Sequence, residues 1–410
     1  MKRTLILTGA GAVAPWKGPR TCEITKKIRE DDTFKTVSGT PVGEYLYKKL
    51  EAYIHPSTPN FETILDLIET LYDYSYGKLN DTKIPIRKES HLALLFKTND
   101  GLESEWLNCK QLKDSLTGFS DIPEPDLKIK YFCSVYYCYL DIVVDQIKKY
   151  NSTYKNYAAL NSKFVELLNL LSNLSWWGKR RALRLYSLNY DRLPVFIAEG
   201  YKWFEGFSKD KNSFMVPDPS KIVTDSRSNC YFNLHGSVFF WKDWSKTGSF
   251  DWILSNDIKK YSDNDPTSST DQSGRNILHS NIITGLHKTS QVLLSPFSEF
   301  QQRFIQDCIE AETVIIIGYS FSDHHINAAL KNIFSDHKKV VIISQIEEDE
   351  LGNWIGNLRW TFQRQINFET ETNYPTNHWI KKMNQAIFTN GFEDFLLNNL
   401  ATLKRFLKET

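Results

Sequence analysis

"LTGAGAVAPWKGPR", residues 7–20, ends an apolar run, Leu5-Ile6-Leu7, in a turn of small residues, and the reading of the chain starts there. A short apolar run broken by Gly-Ala-Gly is the pattern of a strand feeding a tight turn and a helix start. Small residues at such a turn let backbone N–H groups approach an anion closely, and a helix N-terminus adds a favourable dipole. Taken alone, that signal is weak. A hydride-transferring dinucleotide fold would add an acidic residue at the end of a second strand about 20 residues further on. Glu30, Asp31 and Asp32 stand at that distance, but within a polar stretch, 21–40, that reads as a loop with no strand before it.

Working outward, three more apolar runs end in polar or small residues. They are "RLYSLNYD" (184–191), "CYFNLHGS" (230–237) and "AETVIIIGYSFSD" (311–323), and "KKVVIISQI" (338–346) is a further buried-type run. Continuous apolar runs of this length suit parallel strands covered on both faces. Open α/β sheets bind ligands at the carboxyl ends of their strands, so Asn189, Asp191 and His235 are read as sharing one site. Between the first strand and the second, helical periodicity dominates. It runs from Ile64, Leu65, Ile68 and Leu71 to the stretch 128–150, where Phe132, Val135, Tyr136, Tyr139, Ile142 and Val143 line one side. "LSWWG" (174–178) reads as core packing, "GKRR" (178–181) as a solvated turn, and Asp323-His324-His325 as a loop or helix start. Polar stretches such as "SKDKNSF" (208–214) read as loops, and the end of the chain reads as mainly helical.

With 410 residues, 41% of them hydrophobic and 24% charged, the chain has material for about two domains or for one with a large insertion. A formal net charge of +1 gives no global field toward nucleic acid or anionic membranes. No apolar run approaches the roughly 20 residues of a membrane span. The first apolar run is too short for a secretory signal, and a cytoplasmic location is the expectation. Six cysteines are scattered without a Cys-x-x-Cys pair, and Cys133 and Cys138 are read as free.

In order along the chain, "TGAGA" (8–12), "NFETILDLIE" (60–69), "SLNYD" (187–191), "NLHGS" (233–237), "GYSFSD" (318–323) and "VVIIS" (340–344) resemble the SIR2-like family in its divergent bacterial branch. The resemblance implies an α/β, Rossmann-like parallel sheet over residues 1–345, a helical insertion at about 62–180, and a helical segment over 346–410. It implies NAD+ as substrate. Gly9, Ala10, Gly11 and Ala12 would hold the pyrophosphate, and Asn189 would position a water or ribose hydroxyl at the anomeric carbon. Asp191 would shape the nicotinamide pocket and His235 would be the general base. Gly318, Tyr319 and Ser320 would contact ribose, with Ser344 near the adenosine end. Trp16 would either close over the nicotinamide side or simply pack its loop.

Deacylases of that family carry a four-cysteine zinc module and a Pro-Asp-Phe-Arg segment after the glycine turn. This chain has "VAPWKGPR" there and no such cysteines, so no zinc is expected and water becomes the expected acceptor. The resemblance then implies an NAD+ hydrolase that depletes NAD+ during phage infection and is active as a homo-oligomer or with a partner. The partner class is a HerA-type hexameric ATPase or another defence protein, with nucleic acid involved only indirectly. The rival expectations are a deacylase or ADP-ribosyltransferase, and a non-catalytic sensor of NAD or ADP-ribose.

Overall fold

The computed structural model describes residues 3–36, 38–52, 58–79, 124–173, 181–243, 251–258, 269–270, 276–277, 280–284, 292–334, 337–362 and 378–408. "LSWWG", residues 178–180 of "GKRR", the middle of the expected insertion and most of the polar stretch "YSDNDPTSSTDQSG" (261–274) lie outside them. The chain divides into two compact units. One comprises residues 1–18, 147–257 and 289–410, the other 19–146 and 258–288.

The first unit is built on a seven-stranded sheet. Its strands are β1 (Arg3–Thr8), β2 (Ala182–Ser187), β3 (Cys230–Asn233), β4 (Thr313–Ile317), β5 (Lys339–Ile343), β6 (Trp379–Lys382) and β7 (Gln385–Phe388). Their spatial order is β6-β7-β5-β4-β1-β2-β3, parallel throughout except for the β6–β7 hairpin. The sequence order 3-2-1-4-5 is that of a Rossmann-like sheet, in which the direction of winding reverses between β1 and β4. β1, β2, β3 and β4 are buried at every position, as strands covered on both faces must be.

Register sets the strand ends level. Thr8 pairs with both Ser187 and Ile317, Ser187 with Asn233, and Ile317 with Ile343. One more parallel bond is made just past each end. Gly9 N donates to Ile317 O (2.9 Å), Leu188 N to Thr8 O (2.9 Å), Leu234 N to Ser187 O (2.8 Å), Gly318 N to Ile343 O (2.8 Å) and Ser344 N to Phe388 O (3.0 Å). Five loops therefore leave the carboxyl edge at one height.

Three expectations are corrected. The stretch 21–40 is not all loop, because Thr21–Glu30 is a helix that buries Ile24 and Ile28, spaced i, i+4. The Glu23 carboxylate accepts from Arg20 N (2.7 Å) and caps its start. The polar residues around them hid that apolar pair. The segment after 345 is not wholly helical either: β6 and β7 extend the sheet before the helices Gly391–Asn398 and Leu400–Lys408. The polar stretch at 208–214 also turns out to join a short hairpin, Phe207–Lys209 with Met215–Pro217.

The second unit contains the helices Thr21–Glu30, Val42–Glu51 and Phe61–Leu79 and most of Glu124–Thr153. Gly43 permits the first two to touch, since a Cβ there would lie 2.1 Å from Ile28 O. Asn60 caps the third, its Oδ1 accepting from Glu62 N (2.9 Å) and Thr63 N (3.1 Å).

Candidate functional site

At the reversal point two turns cross in backbone contact. A Cβ on Gly9 would sit 2.7 Å from Gly318 O, and one on Gly11 would sit 2.9 Å from Gly318 Cα. Gly318 itself holds φ +61, and a Cβ there would fall 2.4 Å from Ala12 N and Gly11 C. Gly11 N donates to Gly318 O (3.0 Å) and Ala12 N to Gly9 O (2.9 Å). The glycines are thus required by the fold itself, and the N–H groups of Gly9, Gly11 and Ala12 are engaged within it. Ala10–Trp16 continues as a 3-10 helix.

Asn189 is tied to this crossing. Its Nδ2 donates to Gly9 O (3.0 Å) and its own N–H to Ser187 Oγ (3.1 Å), while its Oδ1 has no hydrogen-bond partner among the described residues. Asn233 at the end of β3 braces the same loop, its Nδ2 donating to Asn189 O and to Asp191 O (2.9 Å each). Tyr231 OH also donates to Asp191 O (2.7 Å).

Asp191 is 1% exposed. Its carboxyl accepts from Tyr150 OH (2.7 Å) and from Leu193 N (2.7 Å). Burial pushes this carboxyl above the usual range, against the pull of those two donors. Burial and the adjacent Asp191 charge push the Tyr150 hydroxyl well up in turn, so it stays a donor.

His235 follows in the β3 loop and is buried, within a turn closed by Gly236 N to Asn233 O (3.3 Å), with Gly236 at φ +78. Its Nε2 lies 3.3 Å from His325 Nε2. Tyr319 is buried and locks its own loop, OH donating to Asn327 Oδ1 (3.0 Å), while burial raises its pKa. Ser320 is exposed and paired with Ser322 (3.0 Å). Ser344 sits past β5 with its N–H and C=O in bonds to Phe388 O and Gly391 N.

A cavity of ≈ 20 Å³ lies beside this edge, lined by Thr8, Ala12, Trp16, Phe164, Asn189 and Asp191 among others. That is room for about one water molecule, not a nicotinamide ring. Ala12, Asn189 and Asp191 meet on it, whereas His235, Gly318, Tyr319, Ser320 and Ser344 do not line it. Trp16 resolves toward packing. It is 2% exposed, its Nε1 donates to Asn161 Oδ1 (2.7 Å), and its ring contacts Phe164 and Phe392. Among the described residues no group of three or more His, Cys, Asp or Glu is placed to hold a metal ion.

Three contributors escaped the sequence reading. Asn233 was visible within "NLHGS" but overshadowed by its histidine. His325 stands one residue into the helix after the β4 turn, in a triplet that reads from sequence as a loop or helix start. Tyr150, forty-one positions from Asp191, left no local signal.

No curated protein matches the chain. A solved structure concerned with the structural basis of sirtuin substrate affinity aligns with 85% of this chain and 84% of its own, at 15% identity and a TM-score of 0.30. Over residues 184–352, which carry β2 to β5 and the turns at Asn189, His235 and Gly318, the chain matches the family model of the SIR2-like domain.

Proposed function

We propose that this chain hydrolyses NAD+ to nicotinamide and ADP-ribose. The observation that carries the reading is the tether from Asn189 Nδ2 to Gly9 O at the sheet's reversal point, which leaves Oδ1 as an open acceptor beside the glycine crossing. Ligands of such sheets bind there. The SIR2-like match over 184–352 supports a nicotinamide nucleotide as that ligand.

Breaking the bond between the anomeric carbon and the nicotinamide nitrogen sends the electron pair to the nitrogen and builds oxocarbenium character on the ribose. Asn189 Oδ1 offers a fixed dipole to that charge or to the attacking water's O–H. His235 takes the proton the water loses as its oxygen bonds to carbon, and later releases it to solvent. Gly9 to Ala12 and Gly318 to Ser320 form the walls toward the pyrophosphate and ribose, with Ser344 at the adenosine end. Since the amides of Gly9, Gly11 and Ala12 are occupied in the fold, contact with the pyrophosphate falls to other groups of these turns.

The same resemblance supports an anti-phage effector that drains cellular NAD+, working as a homo-oligomer or with a HerA-type ATPase or other defence partner. To test the reaction, the full chain is concentrated to favour self-association, incubated with NAD+, and its products separated by chromatography. Nicotinamide and ADP-ribose in equal amounts are expected, with no acceleration by an acyl-lysine peptide. A protein that binds NAD+ but releases nothing would instead be a sensor.

A further inference from the structure

Asn233 ends β3 level with Ser187 of β2 and is 3% exposed. Its Nδ2 donates to Asn189 O and to Asp191 O, 2.9 Å each, with a longer contact to Tyr231 OH (3.2 Å). Carbonyl oxygens only accept, so the nitrogen end of the amide must face them, and its two hydrogens divide between them. The Asn233 carbonyl accepts from Gly236 N (3.3 Å) and closes the turn that carries His235. One residue thus ties the Asn189 turn to the His235 turn. Other bonds across this gap reach the neighbours of Asn189 instead. Ser237 Oγ and Val238 N donate to Tyr190 O (2.9 and 3.0 Å), and Tyr231 OH donates to Asp191 O (2.7 Å). Besides Asn233, Asn189 O has only Ser187 Oγ, at 3.4 Å, among the described residues.

We propose that Asn233 is a positioning residue, which holds the backbone of Asn189 so that its Oδ1 stands at a fixed separation from the His235 turn. The inference rests on the proposed hydrolysis using Asn189. Without the Asn233 amide, Asp191 O keeps Tyr231 and Tyr190 O keeps its two donors. The turn stays laced, while the residue bearing Oδ1 loses the shorter bond to its carbonyl. The Nδ2 bond to Gly9 O and the weaker ties to Ser187 Oγ are then left to hold Asn189, and a displaced dipole stabilises developing charge poorly. Asparagine suits this task specifically. Alanine offers no donor, serine offers one where two carbonyls wait, and aspartate, of the same shape, sets an oxygen against both. Asn233 touches no reacting atom in this scheme.

Three measurements on the full chain test it. In asparagine-labelled wild type, NMR is expected to find both Nδ2 protons of Asn233 exchanging slowly with solvent. This readout needs neither variant nor substrate; freely exchanging protons would overturn the inference even if NAD+ hydrolysis stands. In the nicotinamide-release assay, Asn233→Ala and Asn233→Asp, each first shown to unfold cooperatively, are expected to lower kcat by about 10- to 100-fold with KM little changed. In an Asn189→Ala background, Asn233→Ala is expected to cost at most about twofold more, because a residue that acts through Asn189 has nothing left to position. A wild-type kcat in Asn233→Ala would refute the positioning role, and so would a full, additive loss in the double variant, which marks a merely structural effect. A wild-type chain that releases no nicotinamide would refute the hydrolase reading and the catalytic consequence with it, and the exchange measurement then decides whether the tie to Asn189 exists.

Discussion

Gly318 holds left-handed backbone within 3 Å of Gly11, so two demands meet on one residue. Forcing a non-glycine residue into that conformation costs about 1–3 kcal/mol before any clash is counted. Here the clash is with backbone, which cannot rotate away. Gly318→Ala is therefore expected to lower the unfolding free energy by at least that amount and to abolish turnover with it, as checked by urea unfolding and product release. An unchanged midpoint would mean that the crossing is not as tight as described. Asn189, Asp191 and His235 were legible as strand-end residues, because each follows closely on an apolar run and open α/β sheets bind ligands at the carboxyl ends of their strands. What the sequence could not display was the bracing: Asn233 on two carbonyls, Tyr150 on Asp191 and His325 on His235. Each of those pairings is made by residues brought together only when the sheet assembles.

The helix Phe297–Glu310 is anchored to the sheet by charge rather than by apolar packing alone. Asp307, fully buried, accepts from Arg184 Nε (2.6 Å), Arg303 (2.6 Å), Tyr186 OH (2.6 Å) and Arg3 (2.9 Å), and Arg3 also reaches Glu310. Burial by itself would raise this carboxyl, but Arg184, Arg303 and Tyr186 hold it below the ordinary value. Removing the charge leaves buried guanidinium groups without their partner, a change that costs about 3–5 kcal/mol. Asp307→Asn should show that loss in thermal or chemical unfolding at neutral pH. A folded pKa below the unfolded one, near 3.9, means the unfolded chain takes up the proton first. The stabilisation is thus complete above about pH 5 and drains as pH falls through the unfolded and then the folded value. The gap between wild type and Asp307→Asn should be flat from neutrality to about pH 5 and narrow progressively as pH falls below that; a gap that stayed constant or widened on acidification would contradict the assignment. The cluster was illegible beforehand because Arg3, Arg184 and Arg303 are far apart in a chain with 50 basic residues.

On the scale of the whole molecule, apolar runs and their order were enough to expect the parallel sheet, whereas the extent of that sheet was not foreseen. A hydrophobic pattern as short as Gln385–Phe388 is ambiguous between strand and helix, and its pairing with β5 decides the matter. The segment after 345 also supplies Phe392, Phe395, Leu403 and Phe406 to the core, with Phe392 against Trp16. A chain cut after Gln345 would expose β5 as an apolar edge and open that core. It is expected to be insoluble or to lose its cooperative unfolding transition, whereas a soluble fragment melting like the full chain would place a domain boundary at 345. The central claim is that the turns at Gly9, Asn189 and His235 serve a single reaction on NAD+. Its most direct test is nicotinamide release by the wild type beside Asn189→Ala and His235→Ala, each first checked for an unchanged melting temperature. The account predicts release by the wild type and a loss of about 100-fold or more in each variant; wild-type rates in either folded variant would contradict it.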